Sequence, residues 1–284
     1  LNEELLHERP PRSERRKAKR EQRERERQAR ETGRVFVIDF DGDIGASQVE
    51  SLREEISALC QVVRDGDEVL LRLESGGGTV HGYGLAASQL RRLRDRGVRL
   101  TVAVDKVAAS GGYMMASVAH RIIAAPFAII GSIGVVAQLP NFSRLLKRND
   151  VDIELHTAGR FKRTLTMFGE NTDEARAKFR EELEETHTLF RNFVAEQRPA
   201  LDLDRVATGE HWYGRNALEL GLVDELRTSD DELLAYADKH DVYEIRYRPH
   251  RSLGDRLSSG LMRLRSAASS TLRTGLSGAP AKML

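Results

Sequence analysis

Residues 98–113 read V-R-L-T-V-A-V-D-K-V-A-A-S-G-G-Y. Val98, Leu100, Val102 and Val104 alternate with the residues between them, which predicts a strand. The strand runs into A-S-G-G, and the small residues Ala116, Ser117 and Ala119 follow. A serine at a tight strand-to-helix turn needs small neighbours if its hydroxyl is to stand clear, and Ser110 has Ala109 and Gly111 beside it. A helix starting here would aim its free N–H groups and its dipole at the same point, where they would favour a developing oxyanion. The spacing is not G-x-S-x-G, and A-S-G-G by itself also suits a buried loop.

Upstream, V-F-V-I-D-F (35–40) is a short apolar run rich in β-branched residues, the pattern of a buried strand. Ser47 and Glu50 have the S-x-x-E spacing of a capping box and predict a helix with Val49, Leu52, Ile56, Leu59 and Val63 on one face. D-G-D at 65–67 breaks it, V-L-L-R-L (69–73) predicts the next strand, and a helix follows through Leu85, Leu90 and Leu93, ended by Gly97. Three strand–helix alternations with short connections predict an α/β fold with a mainly parallel sheet, whose ligand sites lie at the carboxyl ends of the strands. One of those ends carries E-S-G-G-G-T (74–79). Glycines there let backbone N–H groups approach a ligand unobstructed, and without a G-K-[ST] ending the turn does not read as a phosphate loop. Brought next to the A-S-G-G turn, it would supply the second donor of an oxyanion hole around Ser110.

Downstream, R-I-I-A-A (121–125) and I-G-V-V-A (133–137) predict strands around the turn I-G-S-I-G (130–134), and D-I-E-L-H (152–156) predicts another. Asn171 and Glu174 then predict the start of a long helix with Phe179, Leu183, Phe190, Phe193 and Val194 on its apolar stripe, ending at Pro199. Residues 208–227 read as a turn, a short helix ended by Gly221, and a strand; a last helix and strand finish near Tyr247.

The chain has 284 residues with 45 basic and 44 acidic side chains, so net charge gives no reason to expect a nucleic-acid partner. The single cysteine, Cys60, rules out an internal disulfide and falls on an apolar helix face as a small buried hydrophobe. Without CxxC or HExxH, and with scattered histidines, neither a metal site nor a cofactor is expected. Glycines, prolines and polar residues interrupt the uncharged run 122–143, which therefore reads as buried strands and turns rather than a membrane span. Residues 1–34, with twelve basic and eight acidic side chains, predict a solvated helix or disordered spacer. Residues 249–284, with net charge +5 and leucines at 253, 257, 261 and 264, predict a basic amphipathic or flexible tail.

A serine hydroxyl needs a base to take its proton. His81, His120 and His156 are candidates by residue type, although none has a telling setting. A neutral lysine is the other option, its pKa brought from about 10.4 to about 7–8 by desolvation and like charge. Lys162, in G-R-F-K-R between Arg160 and Arg163, has the like charge.

The ordered array E-S-G-G-G, D-K-V-A-A-S-G-G-Y, G-S-I-G-V, G-R-F-K-R-T-L-T and G-L-V-D-E-L resembles the SohB branch of the signal peptide peptidase A family, over roughly residues 35–247. The resemblance implies a membrane-anchored bacterial serine protease with a Ser/Lys dyad on a Clp-protease/crotonase-like fold of repeated ββα/βαβ units, here in a domain over 35–248. Carried onto this sequence, it makes Ser110 the nucleophile, Lys162 the general base, and Ser132 the serine that orients the lysine amine. Gly77 and Gly111 become the oxyanion donors, with Gly76, Gly78 and Met114 lining the substrate site. Gly76 stands where relatives have proline. The resemblance also implies homo-oligomeric rings, in some of which a neighbouring protomer supplies the lysine, and extended apolar, signal-peptide-like substrates. It further implies a membrane helix upstream of Leu1, with the catalytic domain on the outer side of the bacterial inner membrane. A crotonase-type acyl-CoA enzyme and a non-catalytic membrane scaffold are the competing readings.

Overall fold

The structure, a computed structural model, describes residues 33–248. The expectations for the spacer before Gly33 and for the tail 249–284 lie outside these residues. Among the described residues, nine strands form one sheet: β1 (Arg34–Gly42), β2 (Glu68–Ser75), β3 (Arg99–Val104), β4 (Val107–Ala109), β5 (Arg121–Ala124), β6 (Ile129–Gly131), β7 (His211–Tyr213), β8 (Glu225–Leu226) and β9 (Asp241–Glu244). The main path runs β7-β6-β4-β2-β3-β5-β8, with β1 on β2 and β9 on β1. Every pairing is parallel except β6 with β7. The fold is therefore α/β with a mainly parallel sheet, as the alternation of elements predicts.

Alternation along β1 sorts the core into two faces. Phe36, Ile38 and Phe40 pack with the apolar faces of α1 (Val49–Val62) and α2 (Val80–Arg94), whereas Val35 and Val37 join Leu70, Ala103, Ile123 and Tyr236 on the other side. Tyr236 comes from α8 (Ser229–Ala237). Each fully buried Leu or Ile of this kind contributes about 1.5–3 kcal/mol. On α2 the buried face is Tyr83, Ala86, Ala87, Leu90 and Leu93, and Leu85 points outward.

The sheet splits where the site forms. The first part of β2 pairs with β3, but its last residue, Ser75, pairs with Ala108 of β4. The serine turn thus follows a short strand of its own, separated from β3 by Asp105 and Lys106, rather than continuing the strand that begins at 98. Beyond it come α3 (Gly111–Ser117), α4 (Ser143–Arg148), α5 (Asp173–Gln197), α6 (Leu203–Val206) and α7 (Gly214–Glu219).

Several local expectations are corrected. Ser47 does not cap α1; the Asp43 carboxylate takes both its N–H (2.8 Å) and its hydroxyl (2.7 Å), and the helix starts two residues later with no side-chain cap. Thr172, not Asn171, caps α5, its Oγ1 accepting from Ala175 N (3.1 Å), because Asn171 is engaged with the backbone of Thr166. The strand at this end of the sheet is 129–131, overlapping the start of the expected turn at 130–134, while 133–137 is irregular. Residues 152–156 are likewise no strand: a strand needs an edge to pair with, and this stretch lies exposed against none. The antiparallel β7 lacks a sequence pattern long enough to predict it.

Candidate functional site

β4 and β6 run parallel in the register Ala109 to Gly131, so the residues that follow them, Ser110 and Ser132, leave the sheet side by side. The Ser110 N–H donates to Gly131 O (2.8 Å) and ties the two turns together. Both serines have positive φ, +52° and +51°. This backbone region costs a non-glycine residue about 1–3 kcal/mol and persists only where the surroundings enforce it. Ser110 is also the N-cap residue of α3 but makes no capping bond with its side chain. The free amides of the first turn of α3 therefore sit beside its hydroxyl.

The glycine turn packs directly on this point. A Cβ built on Gly77 (φ +88°) would lie 2.7 Å from Ser110 Cβ and 2.8 Å from Gly111 N. The N–H groups of this turn are already sorted: Gly77's donates to Ser75 Oγ (3.1 Å) and Thr79's to Ile44 O (2.8 Å). The sequence expectation of Gly77 as an oxyanion donor therefore meets an amide held by a side chain. Gly78, between the two, has no hydrogen-bond partner for its N–H among the described residues.

Ser110, Ser132, Gly76, Gly77, Gly78, Gly111 and Met114 all line one cleft of about 890 Å³. Ile44, Val80, Val135, Val136, Leu183 and Phe190 give it apolar walls. Ile44 and Val136 are 78% and 91% exposed at its rim. Met115, by contrast, is in the core.

Lys162 is not in this cleft. It is exposed, in a turn where its N–H donates to Gly159 O, and the surrounding stretch exposes Val151, Ile153, Leu155, Phe161, Met167 and Phe168. Neighbouring Arg160 pairs with Glu174. None of His81, His120 and His156 reaches the cleft either. His120 accepts the Leu100 N–H on Nδ1, and burial, with Arg94 and Arg99 nearby, lowers its pKa. Sequence reasoning missed His187: it shares the α5 stripe of Leu183 and Phe190, lines the cleft, and has a buried Nε2 without a partner among the described residues. Its spacing from Leu183 and Phe190 was the available signal.

A parallel α/β sheet that presents a strained serine at a helix N-terminus, against a glycine turn and in an apolar cleft, has the architecture of a nucleophile-bearing hydrolase site. The chain belongs to peptidase family S49, on its SohB branch: the pattern of "Peptidase family S49" matches residues 92–243, and that of "Peptidase family S49 N-terminal" matches 1–90. It is 61% identical over 219 residues to a probable protease SohB of Haemophilus influenzae, covering 77% of this chain and 62% of that one. A probable protease SohB of Buchnera aphidicola is 64% identical over 201 residues, covering 71% of this chain and 66% of the other. The chain thus spans less than two thirds of the length of these two relatives. Among solved structures, a 1510-N membrane-bound stomatin-specific protease aligns with a TM-score of 0.48 and 15% identity, over 77% of this chain and 99% of that one.

Proposed function

We propose that the protein is a serine endopeptidase that cleaves extended apolar peptides through a Ser110/Lys162 dyad. The observation that carries the reading is the constellation at the ends of β4 and β6: a strained Ser110 in register with Ser132, in one cleft with the glycine turn. The Lys162 amine takes the hydroxyl proton, and Ser110 Oγ attacks the peptide carbonyl. The resulting oxyanion lies against the N–H of Gly111 and that of Gly78, which has no partner among the described residues to give up. The protonated amine returns its proton to the leaving nitrogen, and water then hydrolyses the acyl-enzyme. Ile44, Val80, Met114 and Phe190 suit apolar side chains.

Within one chain Lys162 lies away from the cleft, on a stretch with many exposed apolar residues. Burying that stretch against a second copy brings the amine to a neighbour's Ser110, which makes the active form a homo-oligomer. Among the described residues no helix is long and apolar enough to cross a membrane. Membrane association and action on the outer side of the inner membrane rest on the family resemblance.

The test uses an apolar fluorogenic peptide and a serine-directed acylating probe. Ser110→Ala and Lys162→Ala each abolish turnover while remaining folded, and mixing the two inactive variants restores part of it. Full activity in either variant ends the dyad. An unlabelled Ser110 in a folded wild type favours a crotonase-type enzyme or a scaffold. His187 is the rival base because it lines the same cleft; activity that survives Lys162→Ala but not His187→Ala transfers the role to it.

A further inference from the structure

At the base of the cleft, a buried chain of hydroxyls runs from the glycine turn to the Asp43 carbonyl. Gly77 N donates to Ser75 Oγ (3.1 Å), Ser75 Oγ and Tyr83 Oη lie 2.6 Å apart, and Tyr83 Oη donates to Asp43 O (2.7 Å). The polarity is forced. Tyr83 has one hydroxyl proton and a carbonyl oxygen can only accept, so that proton goes to Asp43 O and Ser75 must donate to Tyr83. The lone pairs of Ser75 Oγ are then left facing the Gly77 N–H. Ser75 is 2% exposed and Tyr83 fully buried, and burial raises the Tyr83 pKa, so the phenol stays a neutral donor. A side chain at Gly42 would break the chain, since its Cβ would lie 2.5 Å from Tyr83 Oη and 2.6 Å from Ser75 Oγ.

Tyr83 also supports the other half of the site. A Cβ on Gly111 would lie 2.3 Å from Tyr83 Cγ, which shows how closely the ring presses on the peptide that follows Ser110. One side chain therefore touches both turns: its ring supports the Gly111 amide, and its hydroxyl, through Ser75, pins the Gly77 amide. With Gly77's N–H turned onto Ser75 and Thr79's onto Ile44 O, the Gly78 N–H between them is left without a partner among the described residues.

We propose that Tyr83 and Ser75 are positioning residues that hold the Gly78 and Gly111 N–H groups in register as a single two-donor oxyanion hole. The proposal rests on the serine-protease reading above. Neither residue touches the substrate carbonyl; Tyr83 acts through Ser75 on one donor and through its ring on the other. A fault in this relay slows formation of the tetrahedral intermediate without weakening substrate binding, because the ground-state carbonyl asks less of the donors than the oxyanion does.

The experiment compares the full chain with Ser75→Ala, Tyr83→Phe, the double variant and Ser110→Ala, checking each fold by thermal unfolding. The readouts are the labelling rate with a fluorophosphonate probe, whose phosphoryl oxygen occupies the oxyanion hole, and kcat and KM on an apolar peptide. Ser75→Ala and Tyr83→Phe each label about tenfold more slowly, a loss on the scale of a small misplacement of catalytic groups. Their kcat falls in parallel, KM stays within about twofold, and the midpoint of the pH profile does not move. The double variant is no slower than Ser75→Ala, because the Tyr83 hydroxyl acts only through Ser75. Wild-type labelling rates in both single variants overturn the proposal, as do losses that multiply in the double variant. If Tyr83→Phe fails to fold, the rate and KM of Ser75→Ala decide the question. Labelling that survives Ser110→Ala counts against the nucleophile assignment instead, and a folded wild type that does not label defeats both readings.

Discussion

The turns after β4 and β6 and the stretch from Asp150 to Lys162 hold the two ends of the proposed dyad, and they are built in opposite ways. The first pair is held on every side, by a parallel register, by the Ser110 N–H on Gly131 O, and by the Ser132 N–H on Glu210 O (2.7 Å). The second has no strand partner and exposes Val151, Ile153, Leu155 and Phe161. One chain is enough to strain a serine into place, whereas the proposed base lies on an exposed apolar stretch that the proposed assembly would bury. The contrast separates what folding supplies from what the proposed assembly would add.

The sharpest way to break it is at the rigid end. Gly77→Ala forces a Cβ to within 2.7 Å of Ser110 Cβ at a φ of +88°. The expected cost is about 1–3 kcal/mol of stability, read by denaturant melts, together with loss of most probe labelling. At the other end, Ile153→Asp leaves the stability of the isolated chain within about 0.5 kcal/mol, since the residue is exposed. It shifts the species seen by size-exclusion chromatography towards monomer and lowers turnover with it; an unchanged elution profile would remove the assembly argument.

Smaller effects test the scaffold. Burial would raise the Glu232 carboxyl, but hydrogen bonds from Arg121 (2.6 Å) and Arg227 (2.6 Å) outweigh it and hold the group below its ordinary value of 4.5. Because the folded-state pKa is depressed, the stability it contributes is present above pH 4.5 and is lost as the pH falls through the folded value. Glu232→Gln lowers stability at pH 7 by about 1–2 kcal/mol, and its difference from wild type closes in acid, as unfolding curves across pH will register. Thr172→Ala removes the cap of α5 and costs about 0.5–2 kcal/mol, with no change in probe labelling.

The sequence was most informative where periodicity runs long. The apolar positions of α1 and the apolar runs of β1 to β3 are legible because burial on one or both faces demands them. The three-residue strands β4, β6 and β7 are not, because three residues carry no period and their place is set by pairing. Ser47 shows a local rule losing to a better acceptor: the S-x-x-E spacing is present, but the Asp43 carboxylate binds the serine first. At the site, the serine turn and glycine turn were readable from composition. The assignment of individual amides was not, since the side chain that holds Gly77 depends on Tyr83 from the next helix. His187 hid in a charged helix because only the fold reveals which side of α5 faces the cleft.

The positive φ at Ser110 sets heat resistance against chemistry at a single position. Glycine fits that backbone better than any L-residue with a side chain, so Ser110→Gly should melt later than the wild type while catalysing nothing. On the proposed mechanism, the side chain at this position therefore trades endurance for reactivity.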